Sequence, residues 1–178
     1  MSILFINGSP RRQGNTATLG NRLLTGIPHT TLSLADYQLN FEQDQRETKQ
    51  PQRNLTDDYE QLMTTYFAPA SDIVLGTPVY WYGMTGQLKV FMDRWFDSFS
   101  HNFPFADKRI YLLIVGADQP EIKATGITQA VLNSCDWLKM NFCGTGIVTA
   151  DGPQDVANLV TLPANCQTLR QKIQTNAK

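Results

Sequence analysis

Short apolar runs alternate along the chain with stretches in which apolar residues recur every three or four positions. The apolar or β-prone runs are Ile3–Ile6, Thr30–Ala35, Asp72–Gly76, Ile110–Val115 and Thr145–Thr149. Runs of this length between turn-forming residues are typical of strands, and continuous apolar runs are typical of strands covered on both faces. The pattern therefore predicts five strands.

Helical spacing fills the intervals between these runs. The predicted helices are one marked by Leu19, Leu23 and Leu24, one from Thr56 to about Phe67, one marked by Leu88, Phe91, Met92, Trp95 and Phe96, one over Ile122–Met140 and one over about Ala164–Thr175. Thr56 is a candidate N-cap, with Asp57 and Asp58 in the first turn. The polar stretch Asn40–Asn54 shows no hydrophobic periodicity, so we predict a loop or excursion there.

The alternation of strands and helices sets the expected architecture. Crossover helices between strands require a parallel sheet with helices on both faces, so the fold class is α/β. Five such strands suggest a flavodoxin-like three-layer sandwich with strand order 2-1-3-4-5, formed by residues 1–178 as a single domain. Ligands of such sheets bind beyond the carboxyl ends of the strands, where strands one and three flank the switch point.

Composition excludes several classes of partner. The 178 residues carry 15 Lys and Arg against 16 Asp and Glu, a net charge of −1. Nucleic acids and anionic membranes demand clustered basic residues, so neither partner is favoured. We find no signal-peptide pattern and no apolar run of membrane-spanning length, and we expect a cytosolic protein. The wide spacing of Cys135, Cys143 and Cys166 favours reduced, buried thiols over disulfides or a metal site.

The loop after the first strand has the features of a phosphate site. It reads Gly8-Ser9-Pro10-Arg11-Arg12-Gln13-Gly14-Asn15-Thr16 and leads directly into the first predicted helix. A helix N-terminus offers unpaired N–H groups and a favourable dipole to an anion. The glycines allow a tight turn, Ser9, Asn15 and Thr16 add short polar groups, and Arg11 or Arg12 can add a charge-assisted contact.

The spacing of this loop excludes two nucleotide motifs. Gly8 and Gly14 are separated by five residues, and Asn15 occupies the position where a Walker loop carries lysine. The pattern is also not G-x-G-x-x-G, which disfavours a Rossmann-type dinucleotide site. One alternative remains open, namely a strand–helix turn capped by Asn15 or Thr16 with solvated arginines.

The loop after the third strand is rich in aromatic residues. In Thr77-Pro78-Val79-Tyr80-Trp81-Tyr82-Gly83, three successive ring-bearing residues cannot all enter the core. A planar ring such as isoalloxazine gains from such contacts, and peptide N–H groups of the loop can hydrogen-bond its polar edge. The alternative is an aromatic cover on the local core or a subunit contact.

Together these segments resemble one family. Gly8-Ser9-Pro10-Arg11 with Gly14-Asn15-Thr16, then Thr77-Pro78-Val79-Tyr80 and Leu88-Lys89-x-Phe91-x-Asp93-Arg94-Trp95, are similar to the NADPH-dependent FMN reductase and NAD(P)H quinone reductase family. The resemblance spans most of residues 1–118. It implies that Ser9, Arg11, Asn15 and Thr16 hold the phosphate of flavin mononucleotide (FMN), and that Pro78, Val79, Tyr80, Trp81, Tyr82 and Gly83 hold its ring. Gly116 and Asp118, after the fourth strand, would approach the other side of the ring.

The resemblance also implies an activity. NADH or NADPH would deliver hydride to flavin N5, and the reduced flavin would then reduce a quinone, free flavin or similar small molecule. The reactive atom belongs to the cofactor, so we expect no catalytic side chain; His29 and His101 lie in predicted loops away from both motifs. Lys89, Asp93 and Arg94 are expected to be structural, because Lys and Asp at i,i+4 form an ordinary helical surface pair.

Assembly and metal content follow from the same resemblance. The family often dimerises with flavin at the interface, so a homodimer or dimer of dimers is expected. Contacts could come from Trp95, Phe96, Phe99, Phe103 and Phe105, unless these residues simply cover the sheet. Some relatives carry a cysteine cluster for an iron–sulfur centre between the second strand and second helix. Asn40–Asn54 contains no cysteine, so we expect no such cluster and no bound metal.

Two other functions remain open at this point. A flavodoxin-like electron carrier would exchange electrons with protein partners only, and a local acidic patch at Asp57 and Asp58 could serve it. Such carriers are usually strongly acidic, which the net charge of −1 does not match. The fold could also serve as a flavin-free binding module with another anion in its first loop.

Overall fold

Five parallel strands form the centre of the protein. The computed structural model describes residues 2–45, 47, 49 and 56–176. The strands are β1 (Ile3–Asn7), β2 (Thr30–Ser33), β3 (Asp72–Pro78), β4 (Arg109–Gly116) and β5 (Asn141–Thr149). They pair in parallel in the order β2-β1-β3-β4-β5. The predicted fold class and strand order are confirmed.

Eight α-helices accompany the sheet in the described part of the chain. They are α1 (Asn15–Leu23), α2 (Tyr59–Leu62), α3 (Gly86–Asp93), α4 (Trp95–Ser100), α5 (Pro120–Lys123), α6 (Thr125–Trp137), α7 (Asp155–Asn158) and α8 (Ala164–Asn176). A 3-10 turn, Leu34–Asp36, follows β2, and a π-helical turn, Met63–Phe67, extends α2. None of the helices in residues 2–45 and 56–176 is long and apolar enough to cross a membrane.

Side chains alternate between the two faces of the sheet and form two separate cores. Leu75 and Leu112 belong to the core beneath α2, α3, α4 and α6, whereas Val74 and Leu113 belong to the core beneath α1 and α8. Successive residues of a strand point to opposite faces, so each strand contributes to both cores. The result is the predicted three-layer arrangement.

Two predicted helices are broken, and one of them is too long. The third continues from α3 into α4 through a turn at Arg94, and the fourth divides at Ala124 and ends at Trp137 instead of Met140. The fifth strand begins at Asn141 and not at Thr145, with a register irregularity opposite Ile110 and Tyr111. Gly144, at φ +130°, lies in that irregularity, which hides the period-2 pattern in the sequence.

The second helix begins later than predicted because its acidic residues have other partners. It starts at Tyr59, and Thr56 does not cap it. The Asp58 carboxylate accepts the Gln38 N–H at 2.7 Å, and the Asp57 carboxylate accepts the Asn40 N–H, also at 2.7 Å. Both acids therefore tie the chain after β2 to the start of α2.

Arg94 completes this connection from the opposite side. Only 2% of its surface is exposed, and its guanidinium donates to Asp57 at 2.7 Å and lies 3.3 Å from a Glu42 oxygen. It also sits 4.4 Å from the centre of the Tyr59 ring. Burial raises the pKa of Glu42, an effect that Arg94 opposes. The prediction that Arg94 is structural holds in this sense, but the residue is buried and not a surface group.

The last part of the described chain is fastened to α1. Arg22 donates to the Val156 carbonyl at 2.5 Å, and Arg170 donates to the carbonyls of Leu23 and Thr25. The contact with Thr25 measures 2.6 Å. Residues after β5 are thus held against the helix that follows β1.

Replacing Arg94 by methionine should destabilise the protein strongly. The change leaves the buried Asp57 carboxylate without its cation, and breaking a buried ion pair typically costs about 3–5 kcal/mol. Arg94→Lys should recover only part of the loss, because lysine cannot reproduce the planar set of donors. Urea unfolding at neutral pH gives the free energy of unfolding.

Lys89→Met is the matched control for this experiment. Lys89 pairs with Asp93 on the exposed side of α3, and surface pairs of this kind contribute less than about 1 kcal/mol. Equal losses for Arg94→Met and Lys89→Met would contradict the role given to Arg94.

Candidate functional site

The loops after β1 and β3 emerge side by side at the carboxyl edge of the sheet. β1 and β3 are adjacent, with Asn7 opposite Gly76. The ladder extends one residue further, because the Gly8 N–H donates to the Gly76 carbonyl at 2.8 Å. The two segments singled out by the sequence therefore face one region, as expected for a ligand site in a parallel sheet.

The first loop presents unpaired backbone donors at the start of α1. Its turn is held by the Asn7 side chain, which accepts the Ser9 N–H at 3.1 Å, and by the Ser9 hydroxyl, which accepts the Arg11 N–H at 3.1 Å. Gly14 precedes the helix without a side-chain cap. Within the described residues, the N–H groups of positions 15–17 have no acceptor. Orphan donors at the start of a helix can bind an anion.

The side chains around this loop divide into available and committed groups. The Arg12 guanidinium pairs with Asp36, whereas the exposed Arg11 guanidinium contacts no acceptor in the described part of the chain. The Asn15 amide donates to the Gly152 carbonyl at 2.7 Å and accepts the Val156 N–H at 3.3 Å. Arg11 is thus the cation available to a ligand, and the Asn15 side chain joins two loops.

Gly8 and Thr85 bring the two loops into contact. A Cβ on Gly8 would lie 2.8 Å from the Gly76 carbonyl oxygen and 2.9 Å from the Leu88 Cβ. The Thr85 hydroxyl donates to the Gly8 carbonyl at 2.6 Å and accepts the Leu88 N–H at 3.3 Å as the N-cap of α3. One buried hydroxyl therefore connects the first loop to the helix that follows the second.

The second loop forms a tight turn with its aromatic residues outside. Tyr80 and Gly83 exchange two backbone hydrogen bonds of 3.0 Å each, and Trp81 and Tyr82 between them have φ of +49° and +64°. Trp81 is 96% exposed, and the other two rings are about half exposed. As the sequence predicted, this aromatic run does not enter the core.

A third loop, after β4, forms the opposite wall. Val79 N–H donates to the Val115 carbonyl at 2.7 Å, and a Cβ on Gly116 would lie 2.8 Å from a Val79 methyl group. A cleft between these loops is lined by Val79, Trp81, Tyr82, Gly116, Asp118 and Lys123. Pro78 lies half-buried at the end of β3, beside this cleft.

Three polar side chains span the rim of the cleft. The Tyr82 phenol donates to Asp118 at 3.0 Å, and Lys123 donates to both Asp118 oxygens at 2.6 Å. The hydrogen bonds from Lys123, and secondly from Tyr82, lower the pKa of Asp118. The carboxylate is therefore charged at neutral pH and engaged by its own chain.

Sequence reasoning missed two members of this arrangement. Thr85 could have been found, because a threonine three residues before Leu88 is an N-cap signal for the third helix. Lys123 carries no comparable signal, since its contact depends on how the chain turns between β4 and α5. Thr16, which was singled out, is buried, and its methyl group approaches Gly76.

The thiols and histidines offer no nucleophile or base to this cleft. Burial raises the pKa of Cys135 to about 12 and that of Cys166 to about 11, so both thiols stay protonated at neutral pH. Burial also raises the pKa of the half-buried Cys143. His29 and His101 are exposed and bond to nearby backbone carbonyls. None of these described thiols and imidazoles lines the cleft.

Metal-binding clusters of three or more His, Cys, Asp or Glu do not occur in residues 2–45, 47, 49 and 56–176. Part of the polar stretch Asn40–Asn54 lies outside the described residues. The prediction that it holds no iron–sulfur cluster rests on its lack of cysteine and stays a prediction. Stoichiometric iron and sulfide in the purified protein would contradict it.

Comparison with known proteins places these features in a family. A family model described as NADPH-dependent FMN reductase matches residues 1–155. The YwqN protein of Bacillus subtilis carries the name NAD(P)H-dependent FMN-containing oxidoreductase. It is 30% identical to this chain over 162 residues, which cover 88% of this chain and 89% of YwqN.

Two further relatives extend the comparison. The iron–sulfur flavoprotein MJ1083 of Methanocaldococcus jannaschii is 37% identical over 103 residues, which cover 53% of this chain and 51% of that protein. The solved structure of the Trp repressor binding protein from B. subtilis has a TM-score of 0.74 at 24% identity, with 96% of each chain covered. That structure shares the fold.

Thr85→Val should reduce stability, since it removes the only hydroxyl that the described chain places between Gly8 and Leu88. The buried Gly8 carbonyl and Leu88 N–H would lose a partner, which costs about 1–3 kcal/mol. Thr85→Ser keeps the hydroxyl and should lose less than half as much. Thermal and urea unfolding of both variants measure the difference; equal losses would mean that the methyl group, and not the hydrogen bonds, matters.

Proposed function

Because the chain belongs to the NADPH-dependent FMN reductase family, we propose that it is an FMN-dependent NAD(P)H oxidoreductase that passes reducing equivalents to a small-molecule acceptor such as a quinone or free flavin. The observation that carries this proposal is the pair of adjacent loops. One offers unpaired donors for a phosphate at the start of α1, and the other offers an exposed aromatic turn beside a cleft. Residues 1–178 act as one domain in this proposal.

The phosphate end of FMN fits the loop after β1. Orphan N–H groups at residues 15–17 and the free Arg11 guanidinium supply backbone and charged donors, while Ser9 shapes the turn. Gly8 and Gly14 keep the loop compact, because a Cβ on Gly8 would lie 2.8 Å from the Gly76 carbonyl oxygen and a Cβ on Gly14 would lie 3.1 Å from the Arg11 Cβ. Thr16 adds packing beneath the loop, and Asn15 contributes its N–H while its side chain positions the loop after β5.

The ring end fits between the turn Tyr80–Gly83 and the residues Gly116–Asp118. Among described residues, the N–H groups of Trp81 and Tyr82 have no backbone acceptor. These donors and the half-buried Pro78 and Val79 would meet one edge of the ring, and Gly116 would meet the other. When bound, FMN supplies the atom that accepts hydride from the nicotinamide and the electrons for the second substrate.

The chain's own part in the reaction is to bind and orient. Among the described residues, neither histidine nor cysteine lines the cleft, and in this proposal the chain stacks the nicotinamide against the ring. The exposed indole of Trp81 provides a flat surface for that purpose.

An electron carrier is a weaker explanation of the same features. The suggested acidic patch has its carboxylates engaged, because the Asp57 side chain is 1% exposed and pairs with Arg94, and the Asp58 carboxylate accepts the Gln38 N–H. A carrier surface would need carboxylates available to a basic partner. The nicotinamide experiment below separates the two functions.

We also propose a homodimer or dimer of dimers. Phe96 and Phe99 on α4 and Trp137 at the end of α6 are exposed, and the rings of Phe99 and Trp137 are 6.4 Å apart. Neighbouring exposed aromatic residues mark interaction sites. Trp95 and Phe105, by contrast, are buried in the core, and Phe103 packs against it. Light scattering at micromolar concentration measures the mass; a monomer would refute the proposal.

Under anaerobic conditions, NADH or NADPH should bleach the absorbance of FMN bound to the protein. Stopped-flow absorbance with NADH and with NADPH measures the rate of flavin reduction. Mixing the reduced protein with a quinone, free flavin or an azo compound should restore the oxidised spectrum. Tight FMN binding without bleaching by either nicotinamide would refute the reductase function and favour a carrier.

Arg11→Met should weaken binding of FMN far more than binding of riboflavin, which lacks the phosphate. A hydrogen bond from a charged donor contributes about 1.5–3 kcal/mol, so FMN affinity should fall roughly tenfold or more. Flavin fluorescence titration gives both dissociation constants.

Lys89→Met is the control, because Lys89 pairs with Asp93 on the exposed side of α3. It should leave both flavin affinities unchanged. Equal weakening of FMN and riboflavin by Arg11→Met would show that the Arg11 guanidinium does not hold the phosphate.

A further inference from the structure

The turn Tyr80–Gly83 adopts a conformation that its sequence opposes. Trp81 and Tyr82 both have positive φ, at +49° and +64°, and the flanking residues exchange two hydrogen bonds. Two-residue turns with positive φ at both central positions favour Asn-Gly, and bulky residues there are strained. Local preference therefore does not explain this turn, and some other contact must hold it.

The contact comes from the loop after β4. The Tyr82 phenol donates a hydrogen bond to Asp118 at 3.0 Å, and the Lys123 ammonium donates to both oxygens of that carboxylate at 2.6 Å. The Lys123 ammonium also lies 6.0 Å from the centre of the Tyr82 ring. The phenol of a strained residue is thus fixed to an anion, and the anion is fixed to a cation at the end of α5.

A third left-handed residue supports this arrangement. Gln119, between Asp118 and α5, has φ of +48°, which turns the chain so that Lys123 can reach back to Asp118. The N–H groups of Ile122 and Lys123 both donate to the Gln119 carbonyl at 3.0 Å. The Asp118 carboxylate is therefore presented to Tyr82 by a short structured segment and not by a free loop.

We propose that Asp118 and Lys123 are positioning residues that act through the Tyr82 phenol to hold the Tyr80–Gly83 turn, and with it the Trp81 indole, at the ring site. The proposal rests on the proposed function for the identity of the ring. Lys123 belongs to neither sequence motif. Asp118 acquires a different role from the one that the family resemblance implies, since it contacts the turn and not the cofactor.

These two roles for Asp118 have different consequences. A carboxylate that contacts the flavin directly contributes the same factor to FMN affinity whatever the turn sequence. A carboxylate that holds the turn contributes to FMN affinity only when the turn sequence does not itself favour the competent conformation. The reason is that apparent affinity scales with the fraction of protein in that conformation. The dependence of the Asp118 effect on the sequence at positions 81 and 82 distinguishes them.

The first test uses the protein without flavin. Amide hydrogen exchange at Tyr80 and Gly83 reports whether their mutual hydrogen bonds open. Asp118→Ala and Lys123→Met should each accelerate exchange at both amides about threefold. Lys89→Met, which removes an exposed lysine paired with Asp93 on α3, should leave both amides unchanged. Unchanged exchange in Asp118→Ala and Lys123→Met would overturn the proposal.

The second test measures FMN dissociation constants in two backgrounds. In the natural turn, Asp118→Ala should weaken FMN binding about threefold. In the background Trp81→Asn with Tyr82→Gly, the turn has its preferred sequence and lacks the phenol, so Asp118→Ala should have no further effect. The same loss in both backgrounds would overturn the proposal in favour of direct contact.

The two tests distinguish failure of the proposed function from failure of the positioning role of Asp118 and Lys123. If none of the proteins takes up FMN, the proposed function is wrong, while hydrogen exchange still decides whether Asp118 and Lys123 hold the turn. If the natural protein binds FMN but the Asn-Gly background does not, exchange at Tyr80 and Gly83 again decides the question.

Discussion

The peptide of Gly8 is the point on which the site depends. Its N–H donates to the Gly76 carbonyl and its own carbonyl accepts the Thr85 hydroxyl, so β1, β3 and α3 meet at one residue. No side chain fits there, because a Cβ would collide with the Gly76 backbone. The start of α1 and the aromatic turn can lie next to each other only because this junction is so close. Both ends of the proposed mononucleotide site are consequences of that packing.

Most groups that face the proposed ligand belong to the backbone. Phosphate donors come from the first turn of α1, and ring donors come from the turn Tyr80–Gly83. The polar side chains mainly shape these segments: Ser9 and Asn7 bend the first loop, Thr85 joins it to α3, and Asp118 holds Tyr82. Backbone donors are insensitive to side-chain identity, so affinity depends on the precision of the turns. This division explains why a reactive group carried by a cofactor suits the cleft better than a side-chain catalyst.

The sequence predicted the sheet and the two loops but not the contacts between them. Strand order and the position of the first loop follow from local features, namely apolar runs, glycines and the start of an amphipathic helix. The burial of Arg94 was hidden, because its partners Asp57 and Glu42 are 37 and 52 residues away along the chain. The Asn15 amide was equally ambiguous, since only the folded chain shows it bound to Gly152 and Val156. Gly144 concealed the start of β5, because a residue in an irregular register interrupts alternation.

The contact of Asn15 with residues after β5 has a consequence for the order of folding. Asn15 binds Gly152 and Val156, Arg22 binds Val156, and Arg170 binds the end of α1. These partners are separated by 134–147 positions, so they are synthesised long after the loop they support. During translation all five strands can leave the ribosome before the first loop acquires these supports. The first loop to be synthesised is thus among the last to be completed, and a chain stopped after β5 would carry the glycines of this loop without the contacts from Gly152 and Val156.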